Sequence, residues 1–325
     1  MNDENLKVEE APGFWPDTVA CWHRLPNKLF FFSLLAAWLA LFQFFGNSIL
    51  GYDPSHSLFV WLYHIYNSPN PAADDGYGNL IPFVVVGLFW WKRNELLALP
   101  LRLWWPGILL VIAALLMHLL GFLVQQPRLS VVALFTGIFG LMGMAWGRAW
   151  LKAGFFPFWL FIFSMPLAAL MLPVTFPLRM IASWLTATVS HLLTINVVRV
   201  GTQLLSGDGS YQFDVAAACS GMHSLVAIFL LATIYGFVTF RSPWKRALLM
   251  ALAFPLSVLG NFVRLMCIIV AAECGGQSAG NYVHENAIIS LLPYVPAMAG
   301  LLWAGHWLGK REHNQPATPA KPEIK

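Results

Sequence analysis

Long apolar runs separated by short polar clusters organise this chain from end to end. A helix needs ~20 mostly apolar residues to cross a bilayer. Runs at roughly 29–46, 103–124, 129–147, 155–172, 218–237, 247–272 and 287–308 read as such helices. Residues 78–91 (GNLIPFVVVGLFWW) form a shorter run that stops abruptly at Lys92-Arg93, and they count as an eighth span. The first run reads as a retained signal anchor. Its leader contains Asp3, Glu4, Glu9 and Glu10, and no small-residue cleavage site follows it.

Two segments between spans carry structure of their own. Residues 55–67 (SHSLFVWLYHIYN) predict a short interfacial helix. In 178–218, the stretch LRMIASWLTATVSHLL is amphipathic enough to lie in the interface or to re-enter. Two β-prone runs follow, VVRVGTQLL and YQFDV, joined through Asp208-Gly209. That pair is a hairpin signal and predicts a small β-cap on the outer face. The expected fold is thus an all-α polytopic membrane protein of about eight spans, with an interfacial helix and a small β-hairpin before the sixth. Residues 1–28 form a cytoplasmic leader, 29–308 a single integral membrane domain, and 309–325 a polar tail.

Composition agrees with the pattern. Of 325 residues, 58% are hydrophobic and only 10% charged, where soluble domains carry about 25% charged residues. A water-soluble enzyme and a disordered chain are both excluded. The distribution of the 19 Lys and Arg residues then fixes an orientation. With the N-terminus in the cytoplasm, fifteen fall on the inner side, and Arg128, Arg179, Arg199 and Arg264 fall on the outer side. Trp90, Trp91, Trp104, Trp105, Trp146, Trp150, Trp303 and Trp307 lie beside the basic ends, as an aromatic belt would. No basic stripe for nucleic acid is present, and Cys21, Cys219, Cys267 and Cys274 show neither a CxxC pair nor metal-ligand spacing. Neither a metal nor a cofactor is expected.

Ionisable groups inside a membrane protein point to function by default. Cys219 opens the sixth span, Arg264 lies ~27 Å up the seventh, and His284 sits in the short outer loop after it, so the topology puts all three on the outer side. Their chemistry suits acyl transfer: a thiolate attacks a carbonyl, a histidine moves the proton, and an arginine stabilises the developing oxyanion. A helix start lowers a thiol's pKa, the amides of Ser220 and Gly221 offer oxyanion donors, and Gly221 permits close approach of a substrate backbone. Cys267 and Cys274 read as small hydrophobes and Cys21 carries no role. Arg128 and Arg179 read as snorkelling anchors, and His118, His191 and His306 as packing or interfacial residues.

At these residues the sequence resembles the exosortase/archaeosortase family of membrane transpeptidases. Ala218-Cys219-Ser220-Gly221-Met222-His223-Ser224-Leu225 is similar to the family's ACSGLRSL. Gly260-Asn261-Phe262-Val263-Arg264 is similar to its (A/G)NxxR block, and Val283-His284-Glu285 to its HE segment. Gly78-Asn79-Leu80-Ile81-Pro82 followed by Trp91-Lys92-Arg93 is a weaker match to HGxLIP…WRR. Two positions depart from the pattern. His223 replaces a family Arg, either as a second base or as a supporting polar group on the Cys219 face, and Tyr77 precedes Gly78 where the family carries His.

The resemblance implies a sortase analogue in a prokaryotic inner membrane, with both termini cytoplasmic and the site outside. Cys219 is then the nucleophile, His284 the general acid/base and Arg264 the oxyanion stabiliser. Asn261, Glu285 and Asp214 are candidates to orient them. The implied substrates are secreted proteins ending in a short signature, a transmembrane helix and a basic tail. The acceptor is an envelope polysaccharide or a lipid-linked group, and membrane lipid is the surrounding partner. A purely hydrolytic thiol protease uses the same residues. A transporter would call for internal repeats and polar groups at the midplane, and a thiol oxidoreductase would need a second outer cysteine, for which Cys274 is the candidate.

Overall fold

The computed structural model describes residues 14–49, 55–68, 75–214, 221–286, 289 and 292–313. Helices α1 (Phe14–Arg24), α2 (Lys28–Phe45), α3 (Leu58–Tyr66), α4 (Ile81–Trp91), α5 (Arg93–Leu97), α6 (Pro106–Leu123), α7 (Pro127–Trp146), α8 (Arg148–Ala153), α9 (Phe155–Trp159) and α10 (Ala168–Leu192) come first. Strands β1 (Val197–Val200), β2 (Gln203–Ser206) and β3 (Gln212–Asp214) follow, then α11 (Gly221–Thr239), α12 (Pro243–Glu285) and α13 (Val295–His313). The described residues are therefore mostly helical, with one small sheet. Among them four helices, α2, α6, α7 and α12, are long and apolar enough to cross a membrane. Residues 81–91, 155–164 and 225–239 form shorter apolar helices.

The chain divides into two compact units, Met1–His64 with Gly78–Pro166, and Ile65–Tyr77 with Leu167–Lys325. In the first unit, α6 and α7 pack closely because Gly107 and Gly140 face each other: a Cβ on either would lie within 2.7 Å of the other's carbonyl oxygen. Small residues allow such approach between apolar helices. Trp38 on α2 donates from Nε1 to the Leu134 carbonyl at 3.0 Å, tying α2 to α7. His118, expected to be a packing residue, is buried and lies 2.9 Å from Ser130 Oγ.

In the second unit, α10 and α11 both pack along α12, and α13 closes the other side. One core joins Ala182, Ala187, Leu265, Ile268, Ile269 and Ala272 to Val197, Leu204, Tyr211 and Phe213 of the sheet region. A second joins Ile228 and Ala232 of α11 to Leu249 and Ala253 of α12 and to Ala297 and Leu301 of α13.

Two expectations change here. The stretch beginning at Leu178 does not form a separate interfacial or re-entrant element; it continues α10, a single helix of 25 residues that runs through Pro173 and Pro177. Its buried Ala182, Ser183, Thr186, Ala187 and Ser190 recur at helical spacing, and that face packs against α12. The β-cap has three strands, in antiparallel order β1-β2-β3. The expected turn at Asp208-Gly209 is present, with Gly209 at φ 78. The Ser206 hydroxyl donates to the Asp208 carboxylate and the Ser210 N–H bonds it at 2.9 Å, holding that carboxyl down at about 2. An additional turn at Gly201-Thr202 splits VVRVGTQLL into β1 and β2, with Gly201 at φ 65.

Candidate active site

The described candidates gather on α12. Asn261 and Arg264 are one turn apart on one face. Asn261 is buried, and among the described residues its Oδ1 has no hydrogen-bond partner. Arg264 and His284 are half-buried, and Glu285 is exposed.

An uninterrupted helix would put His284 ~30 Å from Arg264, too far to share a substrate bond. Gly276 prevents this. It sits inside α12 at φ 73, ψ −173, a conformation open essentially to glycine alone. Beyond it the chain turns back on itself. A Cβ on Gly280 would lie 3.0 Å from the Ala272 Cβ, whereas eight residues of straight helix rise ~12 Å. Val283 accordingly packs on the core cluster that joins α10, the sheet region and Leu265, Ile268, Ile269 and Ala272 of α12. Pairing 280 with 272 returns His284 to the level of Ile268, about one turn (~6 Å along the axis) from Arg264. The sequence reading had put His284 in a short loop; it lies in the helical segment of α12 beyond Gly276, two residues before the helix's Asn286 C-cap.

The β-cap grips this folded-back segment. The Gln212 N–H donates to Gln277 Oε1 at 2.8 Å, and Gln277 Nε2 donates to the Gln212 carbonyl at 3.2 Å and to Asn281 Oδ1 at 3.0 Å. The Tyr211 hydroxyl donates at 3.1 Å to Glu273, on the part of α12 before Gly276, and so ties the cap to the rod itself. Burial and then the Glu273 carboxylate push the Tyr211 phenol above its ordinary range. The Phe213 ring lies against Gly280, where a Cβ would stand 2.4 Å from its Cζ. Asp214, a candidate to orient His284 or Arg264, ends β3 and accepts from Thr202 Oγ1 at 3.3 Å. Cys219 follows Asp214 by five residues and precedes the start of α11 by two.

Cys219 and Ser220 lie outside the described residues. Gly221 is the first residue of α11, and His223 stands in its first turn with an undescribed side chain. Cys267 and Cys274 are exposed thiols on α12, on its apolar rod rather than in a core. Among the described residues, no group of His, Cys, Asp and Glu could hold a metal.

One residue was misassigned by the sequence reading. Arg179 is not a snorkelling anchor: it is only 9% exposed. With Thr175, Leu178, Ser257, Val258 and Asn261 it lines a cavity of about 10 Å³ between α10 and α12, the size of one water. Four of those six residues are polar and buried. The missed signal is the i, i+4 spacing of Thr175 and Arg179, which puts two polar groups on one face of an apolar helix. Asp75 is also buried. It accepts from the Tyr77 hydroxyl and from the Leu167 N–H, each at 2.9 Å, fastening residues 75–77 to the start of α10.

Arg179 and Asn261 thus meet at the α10–α12 seam, one helical turn below Arg264 on α12. A search of curated proteins and a search of solved structures each found no match. The sequence pattern of the family described as Transmembrane exosortase (Exosortase_EpsH) matches residues 70–306, which include every candidate site residue and all of α4 to α12. That match covers well over half of the sequence, and the chain belongs to the transmembrane exosortase family.

Proposed function

We propose that the protein is a membrane cysteine transpeptidase that cleaves the C-terminal sorting tail of secreted proteins and passes the product to an envelope acceptor. Cys219 attacks the scissile carbonyl as a thiolate. Arg264 stabilises the oxyanion, with the amides of Ser220 and Gly221 as further donors. His284 gives its proton to the departing amine as the C–N bond breaks, leaving a thioester on Cys219. An acceptor amine or hydroxyl then attacks the thioester, loses its proton to His284 and expels the thiolate. Asn261 and Arg179 keep the floor of the site polar beneath Arg264, Glu285 borders the base, and His223 serves as a supporting group beside Cys219.

The observation that carries this reading is the turn at Gly276. It turns the chain back so that Gly280 meets Ala272, which supports a site in which His284 works at the same end of α12 as Arg264, on the helix against which α11 packs. In this reading eight crossings keep both termini in the cytoplasm and the site on the outer side of the inner membrane. A substrate with a transmembrane helix and a basic tail then stands parallel to the bundle, its tail inside and its signature at the rim.

The test is processing of a tail-bearing substrate from the same genome in cells carrying the wild type, Cys219→Ala, Arg264→Ala or His284→Ala, at matched insertion levels. All three substitutions should leave the full-length substrate in the membrane. Normal processing by Cys219→Ala would end the assignment. Released substrate with no acceptor attached, recovered from the wild type by mass spectrometry, would instead favour the purely hydrolytic thiol protease.

A further inference from the structure

The first unit contains an apolar groove of about 410 Å³ between α7 and the segment 155–165. Its walls are aromatic, including Phe135, Phe139, Phe155, Phe158 and Trp159, and Thr136 is the one polar residue lining it. Phe135 stacks on Phe161 at 4.4 Å and Phe139 meets Phe158 at 5.0 Å, so the walls brace each other around the opening. Residues 155–164 form a helix too short to fill the height of a bilayer core.

The charge around the groove is what identifies its occupant. The Gly154 N–H bonds the Trp150 carbonyl at 2.8 Å and the Phe158 N–H bonds the Gly154 carbonyl at 3.1 Å, so α8 passes into α9 with helical bonding. Residues 148, 152, 155 and 159 therefore share one face. Phe155 and Trp159 line the groove, and Arg148 and Lys152, both exposed, continue the same stripe beyond its end. The two carboxylates among the described residues of this unit are engaged elsewhere: Asp17 pairs with Arg93 at 2.6 Å and Glu95 with Lys92 at 3.3 Å.

We infer that this groove and the Arg148–Lys152 pair form a binding site for an anionic phospholipid, with one acyl chain in the groove and the phosphate between the two cations. The groove offers an acyl chain an aromatic surface with almost nothing polar to desolvate. The cations supply a diffuse double charge where the chain's headgroup must emerge, and a zwitterionic lipid would leave that charge uncompensated. The site is independent of the acyl-transfer reading.

Native mass spectrometry of the detergent-purified full chain tests it, with palmitoyl-oleoyl phosphatidylglycerol and phosphatidylcholine as competing probes. Each cation near a lipid phosphate contributes roughly fivefold, so the wild type should retain the glycerol lipid over the choline lipid by about thirtyfold. Arg148→Gln/Lys152→Gln, on an exposed face, should remove the preference while still holding either lipid. Thr136→Trp, which fills the groove, should lose both. Equal retention by the wild type, a preference that survives the double substitution, or a lipid-free dimer mass showing that a second copy occupies the groove would each overturn the inference. Phosphatidylglycerol should also raise the wild type's unfolding temperature and leave that of the double variant unchanged, a readout that does not depend on Thr136→Trp folding.

Discussion

Gly276 gives the sharpest test of how the site is assembled. The Cβ that Gly276→Ala would add meets nothing within 4 Å, so the substitution creates no clash. Its whole cost is the backbone at φ 73, ψ −173, about 1–3 kcal/mol for a non-glycine residue. Opposing that strain are the contacts holding the fold-back: two hydrogen bonds between Gln277 and the Gln212 backbone, the Phe213 ring against Gly280 and the packing of Val283. Each such bond contributes about 0.5–1.5 kcal/mol net, so strain and latch are of similar size. An alanine should therefore tilt the balance between folded-back and straightened α12 by roughly five- to more than a hundredfold. A straightened helix carries His284 ~30 Å from Arg264 and removes the acid/base group. With strain and latch nearly equal, about half the molecules stay folded back, so substrate processing at matched insertion should fall roughly twofold. Gly276→Asn should do no better than alanine, because asparagine relieves the left-handed helical region and not this one. Gly236→Ala, where the new Cβ meets only ordinary contacts from 3.6 Å outward, is the control. Wild-type processing by Gly276→Ala, with an unchanged unfolding temperature in detergent, would refute the reasoning.

The other expectations concern the same unit. Gly280→Ala puts a Cβ 2.4 Å from the Phe213 ring; it should lower processing several-fold, and Phe213→Ala added to it should recover part of that loss, an outcome a general folding defect would not give. Arg179→Met keeps the volume and removes a buried cation; processing should fall at least tenfold at normal insertion, whereas Arg128→Met, at a half-exposed position, should leave it unchanged. Tyr211→Phe should lower the unfolding temperature by the equivalent of about 1 kcal/mol at pH 7, read by scanning fluorimetry. Because the folded phenol is held above its ordinary range, its contribution is complete below the ordinary value of about 10 and is lost as pH rises beyond it. The gap between wild type and Tyr211→Phe should therefore stay constant from pH 7 to about 10 and narrow above; a gap that narrows below pH 9 would contradict this.

What the sequence made legible was what hydrophobic length and local turn chemistry encode. Helices α2, α6 and α7 lie where continuous apolar runs and their Trp-basic ends put them, and the Asp208-Gly209 turn lies where two β-prone runs needed it. The resemblance read from the Cys219, Arg264 and His284 motifs is matched by the family pattern over 70–306. What failed depends on tertiary packing. The run 155–172 and the stretch from Leu178 read as separate elements, yet α10 joins them through Pro173 and Pro177 because its buried face is held along α12. That error also misplaced Arg179: a cation next to a presumed interface reads as an anchor, while the same cation within a long packed helix is buried. The fold-back was hidden for a related reason. Gly275-Gly276 signals a turn, but Gln277–Glu285 has no apolar period to announce a helix, and Phe213, which supports it, lies far away in sequence.

The two described members of the proposed site are held in physically different ways. Arg264 sits on the part of α12 packed by α10 and α11, next to the fully buried Leu265 and one turn from Ile268. Moving it would disturb a close-packed core that deforms poorly. His284 is held by a short segment, a single glycine conformation and a few polar contacts to β3, and those contacts are individually worth little more than thermal energy. The proposed oxyanion stabiliser is thus on a rigid rod and the proposed acid/base on a latch. Electrostatic stabilisation gains from donors fixed before the reaction, and a proton carrier serving first a leaving amine and then an incoming acceptor gains from a small range of motion. The sheet that holds the latch also leads, within five residues of β3, to Cys219. Displacing β3 therefore disturbs the segment that carries His284 while leaving Arg264 in place, which makes this three-stranded cap, rather than the helical bundle, the element on which the proposed acid/base depends.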